Sequence, residues 1–113
     1  MPRIHLASVH VDDQAKAAAF YTEVLGFVVK HDVPLGEHRW LTVVSPDEPD
    51  GPQLLLEPDE HPAARAYAAA LSALDIPALQ LEVDDLAAEH RRLVERGATF
   101  VQEPIDAGAV WTA

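Results

Sequence analysis

Ile4-His5-Leu6-Ala7-Ser8-Val9-His10-Val11-Asp12-Asp13 recurs in pattern as Ile76-Pro77-Ala78-Leu79-Gln80-Leu81-Glu82-Val83-Asp84-Asp85. Each stretch is an apolar run closed by Val-Asp-Asp. Each leads into residues at helical spacing, then a glycine, then strand-like sequence. That sequence is Gly26-Phe27-Val28-Val29 in the first copy and Gly97-Ala98-Thr99-Phe100-Val101 in the second. A twofold repeat predicts two similar modules, with matching positions facing one another across a shared cavity.

Outward from the first copy, Ile4 to Val11 reads as a strand, β-branched and partly alternating. Asp12 or Asp13 is placed to cap a helix, since a short carboxylate accepts bonds from the first free amides. Ala17, Phe20, Tyr21, Val24 and Leu25 then fall on one buried helical face, and Gly26 stops the helix. Phe27 to His31, Arg39 to Ser45 and Gln53 to Glu57 read as strands, the last two joined through the Pro-, Asp- and Gly-rich turn Pro46 to Pro52. Pro62 suits a first helical turn after Asp59 or Glu60. Ala63, Tyr67, Ala70, Leu71 and Leu74 continue that helix as a link to the second copy. There, Pro77 to Val83 is expected as a strand. Leu86, His90, Leu93 and Val94 form a helical face ended by Gly97. Thr99 to Gln102 and Ala109 to Ala113 are expected as further strands.

Composition narrows the possibilities. A chain of 113 residues suits one compact domain, or two small modules with a common core. It has no cysteines, which excludes disulfides, thiolate metal sites and cysteine nucleophiles, and it fits a cytoplasmic setting. No apolar run approaches a membrane span, and no secretory leader is visible at the N-terminus. A formal net charge of -11 argues against nucleic-acid partners and favours solubility. There is no Gly-rich phosphate loop, no Gly-x-Ser-x-Gly elbow and no kinase signature.

Val9-His10-Val11-Asp12-Asp13, Phe20-Tyr21 and Val24-Leu25-Gly26-Phe27 resemble the opening module of the vicinal oxygen chelate superfamily. Val83-Asp84-Asp85, Leu93 and Gly97 extend the likeness to the second half. That superfamily holds glyoxalase I, bleomycin-resistance proteins, fosfomycin-resistance enzymes and extradiol dioxygenases. The resemblance implies an α+β fold of paired βαβββ modules forming a cupped mixed sheet. Module one would span 1–58, a linking helix 61–75 and module two 76–113. It implies a small ligand held in the cup, often over a divalent metal, and a homodimer. A dimer also suits an incomplete module with an exposed strand edge. Members usually continue through a turn into one more strand bearing the last metal ligand, so sequence beyond 113 is expected.

The resemblance places metal-ligand positions at Leu6, Ala78 and Gln53. A divalent cation needs imidazole or carboxylate donors there. Leucine and alanine offer none, so a glyoxalase I reaction is not expected, and neither is a bound metal cofactor. His5 is one residue out of step and points to the other strand face. Alternation instead groups Leu6, Ser8 and His10, then Gln53, Leu55 and Glu57, then Ala78, Gln80 and Glu82. His10, Glu57 and Glu82 are the chemically capable members. They are read as a displaced metal site, as an acid–base set, or as a polar lining that orients a ligand. Trp40 and Trp111 are core residues or stacking walls for an organic ligand. Arg39 pairs with an anionic substrate or with a surface carboxylate. His31, His38, His61 and His90 lack metal spacing and are expected at the surface.

Three functions follow as expectations. One is a small-molecule protein of this superfamily binding between the modules, an enzyme only if His10 acts with Glu57 or Glu82. Another is a drug-sequestering resistance protein, for which an acidic chain suits a cationic drug. The last is a metal-dependent lyase or dioxygenase.

Overall fold

In a computed structural model, which describes residues 1–100, 102, 104–106 and 111–112, the chain divides into two units, Met1–Ala78 and Leu79–Ala113. The first unit is a βαβββ module followed by a helix. Its elements are β1 (Leu6–Val11), α1 (Gln14–Ala19), β2 (Val28–Leu35), β3 (His38–Val44), β4 (Gln53–Pro58) and α2 (Pro62–Ala73). The strands form one mixed sheet in the order β1-β4-β3-β2. β1 runs parallel to β4, and the other neighbours are antiparallel.

Asp13 caps α1, its carboxylate accepting the Lys16 N–H at 3.1 Å. After Ala19 the helix widens into a π-turn over Phe20–Val24, with Leu25 N–H bonded to Phe20 O at 3.1 Å. The wider turn breaks the 3.6-residue period. Phe20 was expected on the buried face and is 43% exposed instead, while Tyr21, Val24 and Leu25 stay half-buried. Gly26, with φ 88°, then turns the chain into the sheet.

α1 packs on β3 and β4. Below it lie Val9, Leu41, Val43, Leu54 and Leu56, all buried and all on one sheet face by register. Gln14 is the polar member of this layer. Its amide nitrogen donates to Arg39 O (2.7 Å) and Leu56 O (2.9 Å), and its oxygen accepts the Arg39 N–H (3.0 Å). The β3–β4 ladder pairs only Thr42 with Leu55 and Val43 with Leu54. Gln14 therefore bridges the two strands where their own pairing has ended. β2 and β3 close through a two-residue turn with Gly36 at φ 64°, the conformation that tight hairpins favour.

Pro62 opens α2 as expected, but His61 is the cap, its Nδ1 accepting the Ala63 N–H at 3.1 Å. Asp59 and Glu60 do not fill that role.

The second unit contains α3 (Leu86–Glu95), β5 (Ile105–Asp106) and β6 (Trp111–Thr112), the two short strands paired antiparallel. Half of the repeat holds. Asp85 caps α3 through the Ala88 N–H at 3.1 Å, as Asp13 does for α1, and Gly97 takes φ 95° as Gly26 takes φ 88°. The strand half does not. No strand forms over 77–83, so the described residues show one βαβββ module and not a pair. Pro77 has no N–H to give a ladder. The Ile76 N–H is already used by Leu71 O (2.9 Å) in closing α2. Thr99, Phe100 and Gln102 are likewise outside any strand. Val101, Ala109, Val110 and Ala113 lie outside the described residues, as does the expected role of the Trp111 side chain.

Candidate ligand-binding face

The sheet face turned away from α1 gathers most of the residues singled out from sequence. Parallel register pairs Leu6 with Gln53, Ser8 with Leu55 and His10 with Glu57. Directly paired residues point to the same side, so these six share a face. Thr42 joins them through its pairing with Leu55, and Trp40 follows two residues earlier on the same strand. β2 adds Val33, paired with Trp40, and Leu35, paired with His38.

The centre of this face is buried and its flanks are open. Thr42 is fully buried, and Gln53 and Leu55 nearly so. Trp40 is 39% exposed, Val33 52% and Leu35 64%. Ser8 and His10 on the outer strand β1 are exposed, and Glu57 is half-buried. The face thus runs from an aromatic and aliphatic flank, across a hydroxyl and an amide, to an imidazole beside a carboxylate. Thr42 Oγ1 has no hydrogen-bond partner among the described residues. A buried hydroxyl without a partner forfeits about 1–3 kcal/mol.

The other expected members come from the second copy of the repeat. Ala78, Gln80 and Glu82 lie in the stretch without a strand, and all three are exposed. The alternation that grouped them needs a ladder to fix it, and none is present.

The metal-ligand positions that the resemblance implies do not fit a cation. Leu6 and Gln53 are register partners, as such a site requires, but they offer one amide between them. Ala78 offers nothing. Elsewhere, Glu37, His38 and Glu60 bring ligand-type atoms within 4.8 Å of one another at the surface, with His38 Nε2 3.1 Å from Glu60 Oε2. Sequence reading missed this group, because Glu60 is remote from the β2–β3 turn along the chain. His5 precedes β1, and its carbonyl accepts the Gln53 N–H at 2.9 Å. Arg39 resolves as a structural pair. Its Nε and Nη2 donate to the two Asp32 oxygens at 2.8 and 2.7 Å. That bidentate bond holds the Asp32 carboxyl below the usual carboxylate range.

The profile of the Glyoxalase/Bleomycin resistance protein/Dioxygenase superfamily matches residues 3–110. The chain belongs to this superfamily. Among superfamily relatives, the Uncharacterized protein YurT of Bacillus subtilis (strain 168) is 49% identical over 111 residues, 98% of this chain and 87% of that protein. The crystal structure of UcmS2 is similar at a TM-score of 0.83 and 35% identity, covering 98% of this chain and 86% of that one. The crystal structure of TnmS3, an antibiotic binding protein from Streptomyces sp. CB03234, is similar at a TM-score of 0.63 and 34% identity. That match covers 86% of this chain and 72% of TnmS3. The superfamily scaffold carries many chemistries, so activity has to be argued from the side chains on the face.

Proposed function

We propose that this protein binds a small organic molecule on the sheet face turned away from α1, and that it sequesters that molecule without a resident metal. The observation that carries the reading is the register. It sets Trp40, Thr42, Leu55, Ser8, His10 and Glu57 side by side, an apolar wall grading into hydrogen-bonding groups. Such a mixture suits ligand pockets, where apolar walls hold the body and a few polar groups fix its orientation. An antibiotic binding protein among the similar structures supports the same reading. The acidic chain, at -11, favours a cationic drug. Among the described residues β1 is an edge strand, which supports homodimer formation. Among the described residues, no helix is long and apolar enough to cross a membrane. A cytoplasmic location stays part of the proposal.

Calorimetry and thermal shift with a cationic glycopeptide such as bleomycin test it. Binding is expected to raise Tm with ligand concentration. Trp40→Ala is expected to weaken affinity about tenfold or more. Binding that is indifferent to Trp40 and Leu55 would overturn the assignment of the face.

A second reading rests on His10 pairing directly with Glu57. Cross-strand neighbours on one face offer an imidazole and a carboxylate to the same ligand, the residue types that general acid–base chemistry uses. On that reading His10→Ala abolishes turnover while ligand affinity persists. Sequestration alone predicts no turnover to lose.

A further inference from the structure

α1, its π-turn, the end of β1 and α2 border an open groove of about 650 Å³ that lies wholly in the first unit. Its floor is Val11 and its α2 wall is Ala68 and Ala69. Small residues there keep the helix from filling the gap. The opposite wall is Phe20 and Tyr21, stacked edge to face with centroids 5.7 Å apart. The π-turn is what turns this pair toward the groove, and such turns recur at functional sites. The volume falls within the roughly 300–1,000 Å³ that organic ligands occupy.

Charge gives the class of guest. Lys16 and Arg65 line the groove, and so do Asp12 and Asp59. None of the four forms an ion pair with another. Arg65 donates once to Glu60 O at 3.0 Å, which anchors it and leaves most of its guanidinium donors available. Two cations and two carboxylates around an aromatic wall, with no ion pair between them among the described residues, suit a guest that carries both charges and a ring. A simple anion would meet Asp12 and Asp59, and a simple cation would meet Lys16 and Arg65. Tyr21 is half-buried, and burial raises its phenol pKa, so it stays a neutral donor.

We propose that this groove is a second small-molecule site, selective for zwitterionic aromatic compounds of dipeptide size. It shares His10 with the sheet face proposed above and otherwise has its own lining. The test is an amide-shift titration of the full chain with three probes: the dipeptide Phe-Ala, its N-acetyl form and its C-terminal amide. Phe-Ala is expected to shift resonances at residues 16–21 and 65–69, and each blocked form to bind about tenfold more weakly. Asp59→Asn should remove the discrimination against the N-acetyl form. Ala68→Phe should fill the groove and abolish the shifts in a chain whose remaining spectrum is unchanged. Trp40→Ala should leave Phe-Ala binding intact, which separates this site from the sheet face. Equal binding of all three probes overturns the proposal. So does the absence of shifts at millimolar probe, or shifts confined to β2 and β3.

Discussion

Gln14 holds together two strands that have stopped holding each other. Its three backbone bonds to Arg39 and Leu56 span the gap left where β3 and β4 diverge. Gln14→Leu keeps the shape and removes all three, so it should cost about 1–3 kcal/mol in urea unfolding. A loss below a few tenths would mean that water substitutes freely. Nothing in the sequence marks Gln14, which follows two aspartates and reads as the solvated first turn of a helix. Its importance exists only once the sheet has folded beneath it. Arg39 was legible as one of two alternatives, and Asp32 decides between them. The Asp32 carboxyl has a lower pKa folded than unfolded, so its contribution is fully present above the ordinary carboxylate range. It is lost as pH falls through the folded-state value. Both partners are solvent-facing, so the effect is small and salt-sensitive. Asp32→Asn should flatten the acid limb of a stability–pH profile slightly, and more visibly at low salt.

At the scale of elements, the helix signals were the most readable part of the chain. Asp13 and Asp85 cap with nearly the same backbone geometry, φ -143° and -137°. Asp85→Ala should therefore cost about 0.5–2 kcal/mol, seen as faster amide exchange in α3. The strands of the first module were also legible, within a few residues at each end. Alternation put Leu6, Ser8 and His10 on one face of their strand and Gln53, Leu55 and Glu57 on one face of theirs, and the parallel register sets the two groups side by side. The same reasoning failed over 77–83. A period-two pattern is necessary for a strand but does not supply a neighbour, and Pro77 removes a donor from the ladder. Phe20 was misplaced for a related reason. A π-turn inserts a residue that helical periodicity does not count.

For the whole molecule, family membership was legible from short motifs, and the residues grouped on β1 and β4 do share one sheet face. Glu82 was chosen by analogy with His10, and the analogy lacked the strand that would have carried it. The donor-poor positions Leu6, Gln53 and Ala78 make a simple prediction. Exhaustive chelation should leave ligand affinity and Tm unchanged, and a stoichiometric metal restoring lost binding would contradict it.

The parallel partnership of β1 with β4 also bears on how the chain reaches its final shape. β2, β3 and β4 follow one another closely along the chain and can zip up locally, whereas Leu6 must wait for Gln53 to be synthesised and positioned. Closing that long loop is an entropic toll levied late in folding. Val9, buried on β1, should then contribute little to the transition state. In stopped-flow experiments Val9→Ala should hasten unfolding and leave the refolding rate nearly as it was. The first strand made would be the last to arrive.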